Sequence, residues 1–131
     1  MWLLDEAHLL LEEAESKLRS AMILYEKGEY GDAISRAYYS MHYSARALLS
    51  TKNIFPKTHK GVIAQFGLEF VKKGVVEDYY VKIISTARES RERADYGIGY
   101  EFTEEEAEDI IHDADRLLER IRRAIEDLAK D

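Results

Sequence analysis

A chain of 131 residues with no cysteine and one proline is expected to form one domain over residues 1–131, large enough for a core without disulfides and suited to the cytoplasm. No apolar run approaches the roughly 20 residues that cross a bilayer, and the Trp2-Leu3-Leu4 start lacks the basic region and length of a signal peptide, so a soluble protein with no membrane attachment is expected. The formal charge of −7 argues against nucleic acid as a partner, but it is unevenly spread: 3 basic and 8 acidic residues over 1–35, 11 and 5 over 36–93, and 5 and 13 over 94–131, which leaves a positive middle.

Apolar positions Leu3, Ala7, Leu10, Ala14, Leu18, Ala21, Met22 and Tyr25 recur at helical spacing, and Gly28 ends this first helix. Glu29 to Asp32 read as a short turn, with Asp32 able to accept backbone N–H bonds or to pair with Arg36 one turn on. A second helix follows to about Lys52, where Asn53-Ile-Phe-Pro56 breaks the pattern. Thr58 is placed to cap a shorter third helix through Val62, Ile63, Phe66 and Phe70, ending at Gly74. Asp78 starts a fourth, with Tyr80, Ile83, Ile84 and Ala87 inside and Lys82, Arg88, Glu89, Arg91, Glu92 and Arg93 outside. Asp95 to Phe102, with two glycines, reads as a loop. Thr103-Glu-Glu-Glu106 is a capping box opening the last helix, whose stripe runs from Ala107 to Leu128. Four long helices and one short one, with no strand signal, predict an all-α, up-and-down four-helix bundle with one additional short helix.

The second helix is unlike its neighbours. Ala33, Ala37, Ser40, Ser44 and Ala47 form a stripe of small residues, and Ile34, Tyr38, Met41, Ala45 and Leu48 a larger apolar one. Such a helix is buried on several sides, and it also carries Arg36, Tyr39, His42, Tyr43 and Arg46.

The run Arg36-Ala-Tyr-Tyr-Ser-Met-His-Tyr-Ser-Ala-Arg-Ala-Leu-Leu49 resembles the HEPN domain family, named for nucleotide binding in higher eukaryotes and prokaryotes. Lys57-Thr-His-Lys-Gly-Val-Ile63 and Arg93-Ala-Asp-Tyr96 share the resemblance, which covers nearly the whole chain. It implies a bundle of this kind, a homodimer, and pairing with a minimal nucleotidyltransferase in prokaryotic toxin–antitoxin modules. Active members are metal-independent ribonucleases with an Arg followed, after four to six residues, by a His, and Arg36 and His42 fit that motif. The resemblance makes them the candidate catalytic pair: His42 would move a proton of the ribose 2′-hydroxyl or leaving oxygen, and Arg36 would hold the phosphate. It calls for no metal and no cofactor.

Spacing separates the pair. At about 100° per residue, His42 lies some 120° around the helix from Arg36. Tyr39, Ser40 and Tyr43 share the Arg36 face, and Arg46 shares that of His42. Toxin members often carry a Tyr two residues after the His, and here that position is Ser44. The leading expectation is therefore a non-catalytic HEPN module that binds a nucleotide, RNA or a nucleotidyltransferase, with Tyr39, Tyr43, Arg46 and Tyr96 as its binding residues; the alternative is the active ribonuclease toxin. Three plainer assignments stay open: His42 as a core histidine, Arg36 as an ion-pair partner of Asp32 or Asp95, and Lys57, His59 and Lys60, near a helix start, as a solvated turn in preference to an anion site. Asp5-x-x-His8 and Asp109-x-x-His112 imitate half of a di-metal bundle site, but in alternating helices they fall at opposite ends. No glycine-rich phosphate loop or Ser-His-Asp set is present.

Overall fold

A computed structural model describes residues 2–130 of the chain. Helix α1 spans Trp2–Glu26, α2 Tyr30–Ser50, α3 His59–Phe66, α4 Tyr79–Tyr96 and α5 Glu104–Ala129; no strand occurs among the described residues. The side chains of Trp2 and Leu3, and with them the first position of the expected α1 stripe, lie outside what is described. The architecture is the expected all-α bundle of four long helices and one short one.

The helix ends are set by the residues that the sequence marks. Gly28 takes φ +80° and Glu29 N–H returns to the Leu24 carbonyl at 2.9 Å, so α1 reverses sharply. Because that reversal is compact, α2 begins at Tyr30, already within the turn expected over Glu29 to Asp32, and Asp32 lies inside its first turn. Thr58 caps α3 by accepting from Gly61 N–H at 2.9 Å. The chain then widens into a π turn over Gly67–Val71, which keeps both Phe66 and Phe70 buried before Gly74, at φ +79°, ends it. Helix α4 continues through Asp95 and Tyr96, two residues into the expected loop, and stops at Gly97, whose N–H still reaches the Arg93 carbonyl.

Both halves of the capping box on α5 are formed: the Thr103 hydroxyl accepts from Glu106 N–H at 3.1 Å and the Glu106 carboxylate accepts from Thr103 N–H at 3.2 Å. Thr103→Ala is expected to cost about 1 kcal/mol, read as a lower urea midpoint with an unchanged slope.

Helix α2 is the hub. It packs against α1, α5, α4 and α3, while α1 and α5 pack on each other, as do α3 and α4. Its small residues Ala33, Ala37, Ser40, Ser44 and Ala47 are all buried, like Ala7, Ala14 and Ala21 on α1. Where these two stripes meet, the Ser40 hydroxyl donates to the Ala14 carbonyl at 2.8 Å, a contact that a larger side chain would hold apart. Tyr25 at the end of α1 donates to Glu108 near the start of α5, so these helices run antiparallel. The pairings of Ser35 with Asp95 and of Tyr39 with Arg91 show the same for α2 and α4. Exposed acidic residues such as Glu12, Glu13, Asp115, Glu119 and Glu126 line α1 and α5, so the positive middle of the sequence forms the α2, α3 and α4 side. Among the described residues, no helix is long and apolar enough to cross a membrane.

Candidate functional site

The face of α2 that meets α3 and α4 carries Tyr38, Tyr39, His42, Tyr43 and Arg46 within three turns. Tyr38 is fully buried, and His42 is only 8% exposed. His59, the first residue of α3, lies over them. Its ring stacks on that of His42, with centroids 4.1 Å apart and planes 11° from parallel, and its Nδ1 is 2.7 Å from the Tyr38 hydroxyl. Docking of Val62, Phe66 and Phe70 into the core holds α3, and so His59, in this place.

Helix α4 adds arginines. Arg91 donates to the Tyr39 hydroxyl at 2.8 Å, and its guanidinium carbon lies 5.2 Å from the Tyr39 ring centre and 5.9 Å from that of Tyr38. Its Nε is 2.7 Å from an Asp95 carboxylate oxygen, an ion pair one turn along α4. Arg88 Nε and His42 Nδ1 are buried and have no hydrogen-bond partner among the described residues.

The electrostatics follow from burial among cations. Desolvation, then His59, Arg46 and Arg91, lower the pKa of His42 to about 3. His59 is lowered as well, first by desolvation and then by Arg91, Arg88 and Arg46. Burial pushes Tyr38 up to about 12, against the pull of Arg88 and Arg91. At neutral pH the centre is therefore two uncharged imidazoles and a phenol, ringed by three guanidinium groups. Such a place can take an anion and offers a proton acceptor beside it.

The expected site residues divide. Tyr39, His42 and Tyr43 are together: His42 meets Tyr39 edge-on at 6.3 Å and Tyr43 at 5.8 Å. Arg46 lies over the Tyr43 ring at 5.2 Å while still acting on His42. Arg36 is exposed on the adjoining groove with Asp32, Ser35, Tyr39, Arg91 and Asp95. It forms no ion pair among the described residues; Asp95, one of its expected partners, is engaged by Arg91 and Ser35. Arg36 and His42 thus differ in face and in exposure, with Tyr39 and Arg91 between them. Tyr96 is 74% exposed at the end of α4 and borders another groove, with Glu89, Glu92 and Arg93.

Arg91 belongs to the site although its charge suggested the outer face of α4. It stands seven residues after Ile84 and four after Ala87, both buried, so helical spacing alone put it on the inner stripe. Asp5, His8, Asp109 and His112 are all exposed, and His8 borders Ile125 and Glu126 at the far end of α5 from His112, so the two carboxylate-histidine pairs share no interior.

The family model described as HEPN domain matches residues 7–125. The chain belongs to the HEPN domain family. Two relatives in Methanocaldococcus jannaschii, named "Putative toxin MJ0605" and "Putative toxin MJ0142", are 46% identical over 124 residues and 38% identical over 118. These matches cover 95% and 90% of this HEPN chain and 92% and 80% of the relatives. The crystal structure of TT1696 from Thermus thermophilus superposes with a TM-score of 0.78 over 91% of this chain and 98% of that one; at 18% identity the shared property is the fold alone.

Proposed function

We propose that this HEPN chain is the toxin-type member of a prokaryotic toxin–antitoxin module, and that its α2 face, widened by α3 and α4, binds phosphates of RNA or of a nucleotide. The observation that carries this reading is the neutral His42–His59 stack inside a ring of Arg46, Arg88 and Arg91. The names of the two M. jannaschii relatives support the toxin assignment. Arg36 and Arg46 attract the phosphate backbone, and Tyr39 and Tyr43 offer rings against which a base stacks. Tyr96, in its separate groove, contacts a more distant part of a longer strand. The protein works in the cytoplasm as a homodimer, with a minimal nucleotidyltransferase as its antitoxin partner.

A second reading keeps His42 and Arg36 as the catalytic pair of a metal-independent ribonuclease. The neutral state of His42 favours it, because an uncharged imidazole is the form that accepts a proton. A basicity lowered this far makes a weak base, so binding stays first.

Purified protein incubated with a mixed RNA pool in EDTA separates the two. Arg36→Ala and Arg46→Ala are each expected to weaken RNA binding about tenfold and to lower the salt slope by about one. Cleavage lost in both Arg36→Ala and His42→Ala would establish the enzyme. Absence of RNA binding at roughly tens of micromolar protein, where non-specific binding already appears, would overturn the phosphate site.

A further inference from the structure

His59 comes from a different helix than the Arg36–His42 motif, and its surroundings fix its chemistry more tightly than those of His42. The Tyr38 hydroxyl is fully buried, and among the described residues His59 Nδ1, at 2.7 Å, is its one hydrogen-bond partner. The protonated hydroxyl has no other acceptor in reach among the described residues, so donation to Nδ1 is the arrangement that leaves no buried O–H unpaired. A neutral imidazole that accepts at Nδ1 carries its hydrogen on Nε2. That Nε2–H has no protein acceptor among the described residues, and His59 is only half-buried. His42 is the buried member of the stack, and His59 is the member that a ligand meets.

We propose that His59 is the phosphate-contacting imidazole of the site: Tyr38 locks its tautomer, and the Nε2–H so fixed donates to a phosphoryl oxygen of bound RNA. Tyr38 is then a positioning residue, acting through His59. The inference rests on the RNA reading above and adds a residue, an atom and a direction of donation to it. Arg46, Arg88 and Arg91 supply charge around the same oxygen, while the imidazole supplies a directed hydrogen bond without adding to their mutual repulsion.

The test uses the full chain labelled with ¹⁵N-histidine, observed by long-range ¹H–¹⁵N NMR at pH 7 with and without a short single-stranded RNA. Free protein is expected to show His59 protonated at Nε2 and bare at Nδ1, and RNA is expected to shift the Nε2 signal. Tyr38→Phe should release the tautomer into a mixture while circular dichroism stays helical. His59→Gln, whose amide N–H reaches the Nε2 position, should keep most of the affinity, and His59→Asn, which has no donor there, should lose about fivefold to tenfold. Protonation at Nδ1 in the free protein, or equal losses in the Gln and Asn variants, would overturn the proposal. RNA binding that needs Arg36 and Arg46 yet leaves the His59 signals unmoved sinks this inference alone. No RNA binding at all removes the site reading and this inference with it.

Discussion

Tyr38→Ala is expected to lower the unfolding free energy by about 3–5 kcal/mol, the range for removing a large buried ring. A domain of this size holds about 5–15 kcal/mol in total, so the variant stands near the edge of folding. The size of the effect comes from what the ring touches. It is fully buried on the hub helix, it packs edge-on against Tyr39 at 5.5 Å and stacks on His59 at 5.6 Å, and its hydroxyl ties α3 to α2. Tyr38→Phe keeps the ring and drops only the hydroxyl, leaving His59 Nδ1 without its donor, and should cost about 1–2 kcal/mol. Urea unfolding of the two variants beside the parent checks the order; equal losses would mean that the hydroxyl rather than the packing carries the residue's contribution.

Mild acid is expected to destabilise the protein through His42. Its folded pKa of about 3 lies below the unfolded value near 6.5. Between those values the unfolded chain binds a proton that the folded chain refuses, so stability rises with pH and is lost as pH falls below about 6.5. One proton corresponds to about 1.4 kcal/mol per pH unit, giving a loss of about 2 kcal/mol or more by pH 4.5. His59 is lowered in the same direction and steepens the dependence. The groups facing the stack are Tyr38, Tyr39, Tyr43 and Arg46 from α2 and Arg88 and Arg91 from α4, with Glu92 of α4 acting on the adjoining Tyr38. The cations oppose protonation throughout this window, and Glu92 acts at the rim. Glu69 and Glu77 also have lowered pKa values, through Lys73 and Arg120. Glu77 is exposed and Glu69 partly so, and they matter only below about pH 4.5. Urea midpoints at pH 7, 5.5 and 4.5 should therefore fall steeply in the parent and less steeply in His42→Gln, by about one proton. Parallel curves would show that His42 is not the group responsible.

The bundle is legible in the sequence because its helix ends are written in local chemistry. Gly28 and Gly74 adopt the positive φ that ends a helix, and Thr58 and Thr103 make the caps that their positions promise. The separation of Arg36 from His42 is also legible, since six residues on a helix fix an angle whatever surrounds it. What no local pattern states is where α3 lands. His59 is seventeen residues from His42, beyond Pro56, and it reaches the site only because Val62, Phe66 and Phe70 find the core. A Lys-Thr-His-Lys turn read in isolation is a solvated corner. Arg91 was obscured for a different reason: its charge pointed outward while its place on the Ile84–Ala87 stripe pointed inward, and a long side chain with Tyr39 and Asp95 to receive it satisfies both.

The segregation of charge, with acidic α1 and α5 packed together and the positive stretch folded into α2, α3 and α4, makes the molecule a dipole. A polyanion approaching from bulk solvent is turned away by one side and drawn to the other, so the encounter is oriented before any contact forms. That guidance reaches about 10 Å at 0.1 M salt and shrinks as salt rises. The uneven placement of charge, and not its net value, is what would act as a rudder for such a polyanion.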